Sequence, residues 1–212
     1  MHLDKEHKEW LALTLVPGVG TALFVRLLAR FRTPGNVLNA SEGELTEIVG
    51  PTVAERIKRY AEIVDVATQE RRMEEFGACL VTLEDSDYPL RLAEIYDPPL
   101  ALFARGAFHS ADEYAVAIVG TRRPTPYGIR MAEKIAGELA SNGITVVSGL
   151  AYGIDAAAHR GAMDAGGRTI AVLGNGVDIA YPPQNAELMA RIVGQGCVIS
   201  QFPMGTRPLA GH

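Results

Sequence analysis

The chain has 212 residues, 48% of them hydrophobic and 21% charged, which is enough apolar material for one sizeable core and a small satellite in an ordinary soluble protein. No apolar run approaches the roughly 20 residues of a membrane-spanning helix, and the opening MHLDKEHKEW lacks the apolar centre of a secretory signal. A transmembrane protein is therefore excluded, no membrane partner is expected, and the cytoplasm is the default location. The net charge of −5 speaks against a nucleic-acid partner until its distribution is considered. Residues 1–60 carry 8 Lys+Arg against 7 Asp+Glu, 61–118 carry 4 against 12, and 119–212 carry 8 against 6. The acidity is confined to the middle, and binding responds to local charge. Cys79 and Cys197 belong to no CxxC or Cys/His cluster, so buried free thiols are expected, with no disulfide and no metal site.

The first helical segment contains Trp10, Leu11, Leu13 and Leu15 and leads through the turn Pro17-Gly18-Val19-Gly20 into an amphipathic helix from Ala22 to Phe31. Helix, PGVG turn and helix resemble a helix-hairpin-helix unit, in which glycines let backbone N–H groups approach a DNA phosphate. ASEGELTEIVGPTVAERIKRY repeats the plan loosely, with a capping box at Ser41 and Glu44. DNA contact and a packing or protein-interaction role both remain open for this region. A long helix is expected from about Val53 to Phe76, broken near Tyr60 and stopped by Gly77, with CLVTL as a strand after it. An arm with Pro89, Pro98 and Pro99 follows. Its acids form a solvated face, Tyr88, Pro89, Leu90 and Leu92 anchor it, and LALFARG suits a short strand.

From Tyr114 onward, short β-branched runs alternate with helix-forming segments, the pattern of parallel strands joined by crossover helices in a doubly wound α/β sheet. Strands are expected at 115–119, 144–148, 169–173 and 197–200, and helices at about 127–142, 153–165 and 184–195. In such a sheet ligands bind at the carboxyl ends of the strands, where loops and helix N-termini present free N–H groups. Gly120, Thr121, Arg122 and Arg123 lie at one strand end, and Ser148, Gly149, Tyr152 and Gly153 at the next. The spacing is not GxGxxG, so a dinucleotide fingerprint is unsupported and no cofactor is expected. Two guanidiniums in a proline-stiffened loop suit phosphate, through paired charge-assisted bonds; the plainer reading pairs them with surface carboxylates. Asp155 and His159 lie four apart on one helical face. An acid/base or metal pair is one reading, but with no third ligand or nucleophile in view the structural one is preferred. Gly174, Gly176 and Asn185 fall around the third strand end, where Asn185 caps a helix or reads a base edge, and Arg207 is the charge of the last loop.

The blocks IVGTRRPTPYG, VVSGLAYGIDAAAHRGAM, TIAVLGNGVDIAYPPQNAEL and VISQFPMGTRP resemble, in order and spacing, the DprA/Smf DNA-processing proteins of bacteria. The resemblance covers nearly the whole chain. It implies a sterile-alpha-motif-like helical domain (1–66), a connecting segment leading into the sheet (67–113) and the N-terminal part of an extended Rossmann-like domain (114–212). It also implies a non-enzymatic role: binding single-stranded DNA, protecting it from nucleases and loading the RecA recombinase on it during natural transformation. Matched motif by motif, the DNA pocket comprises Gly120, Thr121, Arg122, Arg123, Ser148, Gly149, Tyr152, Gly174, Asn175 and Asn185, with Arg207 beside it. Family members continue past FPMGTRP with a basic motif, more strands and often a winged helix. The resemblance therefore implies a C-terminally truncated sheet, with an exposed edge unless another segment covers it, lacking the surfaces for homodimer contacts and RecA. The rival is an enzyme of the related phosphoribohydrolase type, whose PGGxGTxxE segment is replaced here by GNGVDIAYPPQNAE; a third reading is a purely structural module.

Overall fold

In the computed structural model, which describes residues 3–209, helix α1 (Lys5–Leu15) starts at Asp4, whose carboxylate accepts from the His7 N–H at 2.9 Å. The turn at 17–20 leads into α2 (Thr21–Phe31), and Thr33 caps α3 (Pro34–Asn39). Helix α4 (Glu42–Val49) has the capping box expected of Ser41 and Glu44, and α5 (Pro51–Lys58) follows the Gly50 turn. Such short helices are marginal alone, and packing holds them. Trp10 stacks on Phe24 with ring centroids 4.7 Å apart, and Leu13, Leu27, Val37, Leu45 and Ile57 close around the pair. Each of these large buried side chains contributes about 1.5–3 kcal/mol.

The helix expected over 53–76 forms as three pieces: α5, the single turn α6 (Tyr60–Ile63), and α7 (Val66–Phe76), capped by Asp65 and ended by Gly77. Strand β1 (Ala78–Thr82) follows, then the arm with one helical turn, α8 (Leu90–Ala93), then β2 (Ala101–Gly106). Tyr88 anchors the arm, its hydroxyl donating to the Pro99 carbonyl at 2.7 Å, but Leu90, expected to help, is 66% exposed. The remaining strands are β3 (Ala115–Ala117), β4 (Thr145–Ser148), β5 (Thr169–Val172) and β6 (Cys197–Ser200).

The spatial order is β1-β2-β6-β5-β4-β3. Strands β3 to β6 pair in parallel, as their apolar runs indicate, whereas β2 lies antiparallel between β1 and β6. The sheet is therefore mixed rather than purely parallel. The segment 67–113 supplies two of its strands, and β2 covers the side of β6 away from β5.

The winding also differs from expectation. Helices α9 (Pro126–Ser141), α10 (Ile154–Asp164) and α11 (Ala186–Gln195) link β3 to β4, β5 and β6 in turn, each step going the same way across the sheet. Crossovers of one hand that step one way place their helices on one face. Side-chain alternation agrees: Val146, Ala171 and Val198 pack with residues of these helices, while Val147, Ile170, Cys197 and Ile199 point to the opposite face, beside Phe108. Over the described residues the sheet is singly wound, not doubly wound. Cys197 is buried, Cys79 is half-buried, and both are free; burial pushes the Cys197 thiol up to about 12. No helix among the described residues is long and apolar enough to cross a membrane.

Helix α1 belongs to two cores. Trp10 and Leu13 face the helical unit, while Leu11 is buried with Met73, Leu80 and Phe103 against the sheet. His7 sits at this junction, with Nδ1 2.9 Å from Asp4 Oδ1 and Nε2 3.1 Å from Asp85 Oδ2. Burial opposes charging the ring, but the hydrogen bonds to Asp4 and Asp85 outweigh it and raise the His7 pKa above 6.5. Stability from a raised pKa is fully present below the unfolded value and is lost as pH climbs through the folded one. Wild type is therefore expected to lose melting temperature, relative to His7→Gln, as pH rises past 6.5; parallel Tm–pH curves would contradict this.

Candidate nucleic-acid interface

The loops after β3, β4, β5 and β6 meet at one end of the sheet around a cleft of about 270 Å³. Arg122 lines it from the first loop, and Gly149, Ala151, Tyr152 and Asp155 from the second. Val172 ends β5, Gly174, Asn175, Tyr181 and Pro182 come from the third loop, and Pro208 and Leu209 from the last.

Asp155, in the first turn of α10, organises these loops. One of its oxygens accepts from the Gly120 N–H at 3.2 Å and the other from the Gly149 N–H at 3.1 Å, tying two neighbouring strand ends to one carboxylate. The residue is only 6% exposed, and its charge is met by the two amides. The expectation that bare glycine amides cradle the ligand is corrected here: the Gly120 and Gly149 N–H groups are engaged inside the protein. Gly153 has φ +82, and a Cβ there would collide with the Thr121 carbonyl oxygen, so glycine lets the first two loops touch. The Ile154 N–H donates to that carbonyl at 3.2 Å. The Thr121 hydroxyl accepts from the Arg123 N–H at 3.2 Å, closing a turn on which Arg122 and Arg123 are both exposed.

Three expected site residues are buried, with their side chains committed to the loops. Ser148 Oγ donates to the Ile118 carbonyl at 2.6 Å. Asn175 Nδ2 donates to the carbonyls of Gly176 at 2.9 Å and Ile179 at 2.7 Å. Asn185 Nδ2 donates to the Leu150 carbonyl at 2.8 Å, bracing Leu150 in its left-handed conformation at φ +58. These groups shape the cleft, and base-edge reading by Asn185 is not what its geometry provides. Tyr152 is 42% exposed, and its hydroxyl donates to Gln184 Oε1; Tyr181 is 48% exposed. Arg207 is exposed just before the lining residues Pro208 and Leu209.

His159 is buried, with Nδ1 2.6 Å from Thr169 Oγ1. Because that hydroxyl gives its proton to the Val146 carbonyl at 2.7 Å, Nδ1 must be the donor, which leaves Nε2 unprotonated. Burial, with Arg160 nearby, pushes its pKa down to about 4. It is a neutral packing group, in line with the structural reading of the Asp155/His159 pair. Among the described residues no cluster of three or more His, Cys, Asp or Glu could hold a metal ion.

Charge pairing separates the basic residues of 119–212 into two sets. Lys134, Arg160, Arg168 and Arg191 face Glu138, Glu133, Asp112 and Asp164. Arg122, Arg123, Arg130 and Arg207 are exposed and have no carboxylate partner among the described residues. All four lie on elements that leave the carboxyl end of the sheet. Arg130 escaped the sequence reading, although its place one turn into the helix after the arginine loop would have pointed to it.

Fold and site together define a Rossmann-like α/β protein, preceded by a helix-hairpin-helix unit, with arginines around a strand-end cleft. The family profile of DNA recombination-mediator protein A matches residues 79–212, and that of the SAM-like helix-hairpin-helix tandem matches 11–62. The chain belongs to the DNA recombination-mediator protein A family, the DprA/Smf proteins. Protein Smf of Synechocystis sp. is 37% identical over 215 residues, covering 99% of this chain and 54% of that protein. DNA processing protein DprA of Streptococcus pneumoniae is 38% identical over 80% of this chain and 59% of its own length. The chain thus spans about half the length of the curated relatives it matches. The solved structure of DprA from Streptococcus pneumoniae superposes with a TM-score of 0.76 at 31% identity, covering 99% of this chain and 71% of that one. DNA processing protein A from Helicobacter pylori, whose structure concerns its single-stranded DNA binding mode, superposes with a TM-score of 0.53 at 33% identity, over 62% of this chain and 60% of that one.

Proposed function

We propose that this chain binds single-stranded DNA at the strand-end cleft and works as a non-enzymatic DNA-processing protein. In this reading it shelters the strand and passes it to a RecA-type recombinase during natural transformation. The observation that carries the reading is the set of four exposed guanidiniums without carboxylate partners among the described residues, at the same end of the sheet as two half-exposed tyrosines. Guanidiniums pair with phosphates, and an aromatic ring that stacks on a base contributes about 1–3 kcal/mol. The Helicobacter pylori relative binds single-stranded DNA, which supports the same ligand here. RecA and a second copy of the chain are partners proposed for the whole protein on family grounds.

Nucleotide cleavage finds less support. The acid lining the cleft is Asp155, whose two oxygens both hold loop amides, so it is not free to act on a substrate. Titration of labelled oligo(dT), beside incubation with nucleoside monophosphates, tests the proposal. Salt-sensitive oligonucleotide binding without monophosphate turnover is expected. Turnover would favour the enzyme, and failure to bind would leave a structural module.

A further inference from the structure

Helix α7 belongs by sequence to the connection between the helical unit and the sheet, yet two of its side chains reach the last loop. The Gln69 amide pairs with Met204 as one peptide group pairs with another: Nε2 donates to the Met204 carbonyl at 3.2 Å, and the Met204 N–H donates to Oε1 at 2.9 Å. One turn further on, Arg72 Nη1 donates to Asp178 Oδ2 at 3.2 Å, and Asp178 Oδ1 accepts from the Gly205 N–H at 2.8 Å. The Asp178 side chain is 4% exposed, and a methyl on Gly205 would strike the Arg72 guanidinium. From the other side, the Gly176 N–H donates to the Thr206 carbonyl at 2.9 Å. Residues 204–206 are thus gripped by α7 and by the third strand-end loop. Directly after them come exposed Arg207 and the two lining residues Pro208 and Leu209.

We propose that Gln69 and Arg72 are positioning residues for the cleft: from α7 they fix the turn whose continuation forms one cleft wall, and so couple occupancy of the cleft to the docking of α7. The inference rests on the single-stranded DNA reading. Gln69 is uncharged, so its influence on phosphate binding passes through the loop it holds. The coupling is reciprocal, and a bound strand tightens the clip as much as the clip favours the strand.

Gln69→Met keeps the side-chain length and deletes both hydrogen bonds. Its affinity for oligo(dT) is expected to fall about five- to tenfold, the lower range of such couplings, with a shallower salt dependence as Arg207 is released; orphaning two Met204 backbone groups also lowers Tm, so binding is compared well below the melting temperature of the variant. Gln69→Glu, which keeps the acceptor for the Met204 N–H but repels the Met204 carbonyl, should fall at least as far. Arg72→Met, which deletes the bond to Asp178, should weaken binding in the same direction as Gln69→Met, and Arg72→Lys, which keeps the charge opposite Asp178, should recover part of that loss. A second readout uses the native protein: oligo(dT) should slow hydrogen exchange at the Met204 and Gly205 amides, both of which donate to clip side chains. Unchanged affinity in folded Gln69→Met, or unchanged exchange at those amides, would overturn the positioning role and leave DNA binding standing. Absence of oligo(dT) binding by wild type would overturn the DNA reading, and this inference with it.

Discussion

Asp155→Ala is expected to lose about 2–4 kcal/mol of folding stability and to bind oligo(dT) far more weakly than wild type. The carboxylate joins two strand ends by accepting from the Gly120 and Gly149 amides. Hydrogen bonds to a charged group are worth about 1.5–3 kcal/mol each, and the variant loses both, from the exposed Gly120 and the half-buried Gly149. The two losses are not independent, so the total falls below their sum. For a protein of this size about 2–4 kcal/mol corresponds to a fall in Tm of roughly 5–15 °C. Binding suffers because the first loop, which carries Arg122 and Arg123, is held to the second through this carboxylate. Asp155→Asn should be intermediate: its oxygen can still accept from one amide, while its NH₂ group faces the other. A melting temperature for Asp155→Ala within about 2 °C of wild type would contradict the organising role.

The second large effect is on binding alone. Arg122→Ala combined with Arg123→Ala is expected to weaken oligo(dT) binding on the order of 10²-fold, from about 1.5 kcal/mol for each charge-assisted phosphate contact. Both guanidiniums are exposed and neither has a carboxylate partner among the described residues, so the native fold loses no interaction in which they are seen to take part. Tm should therefore stay close to wild type, which separates this variant from Asp155→Ala. An unaltered affinity would show that strand binding does not run through the first loop.

Much of this was legible in the letters because it is local. The β-branched runs, the glycine helix stops and the Ser41/Glu44 capping box are each decided within a few residues, and the parallel strands formed where they were expected. What escaped was decided by distant partners. An antiparallel neighbour for β6 leaves no mark in the sequence of β6, so nothing local shows β2 lying beside it. One-sided winding depends on the strand order, which the β-branched runs do not state. Asn175, Asn185 and Ser148 looked like ligand-facing polar groups at strand ends, but buried backbone carbonyls needed donors, and these side chains provide them. The two glycine amides looked free, but the Asp155 carboxylate of α10 holds both. Gln69 and Arg72 gave no signal, since their partners lie more than a hundred residues away.

The central claim is that phosphates are held by guanidiniums at the carboxyl ends of the parallel strands. Its most direct test is the slope of log affinity against log salt for oligo(dT), measured on wild type and on the Arg122/Arg123 double alanine variant. Wild type should show a steep linear fall, and the variant a slope shallower by about 1.4, close to 0.7 for each phosphate charge no longer neutralised on a single strand. Equal slopes for the two proteins would contradict the claim.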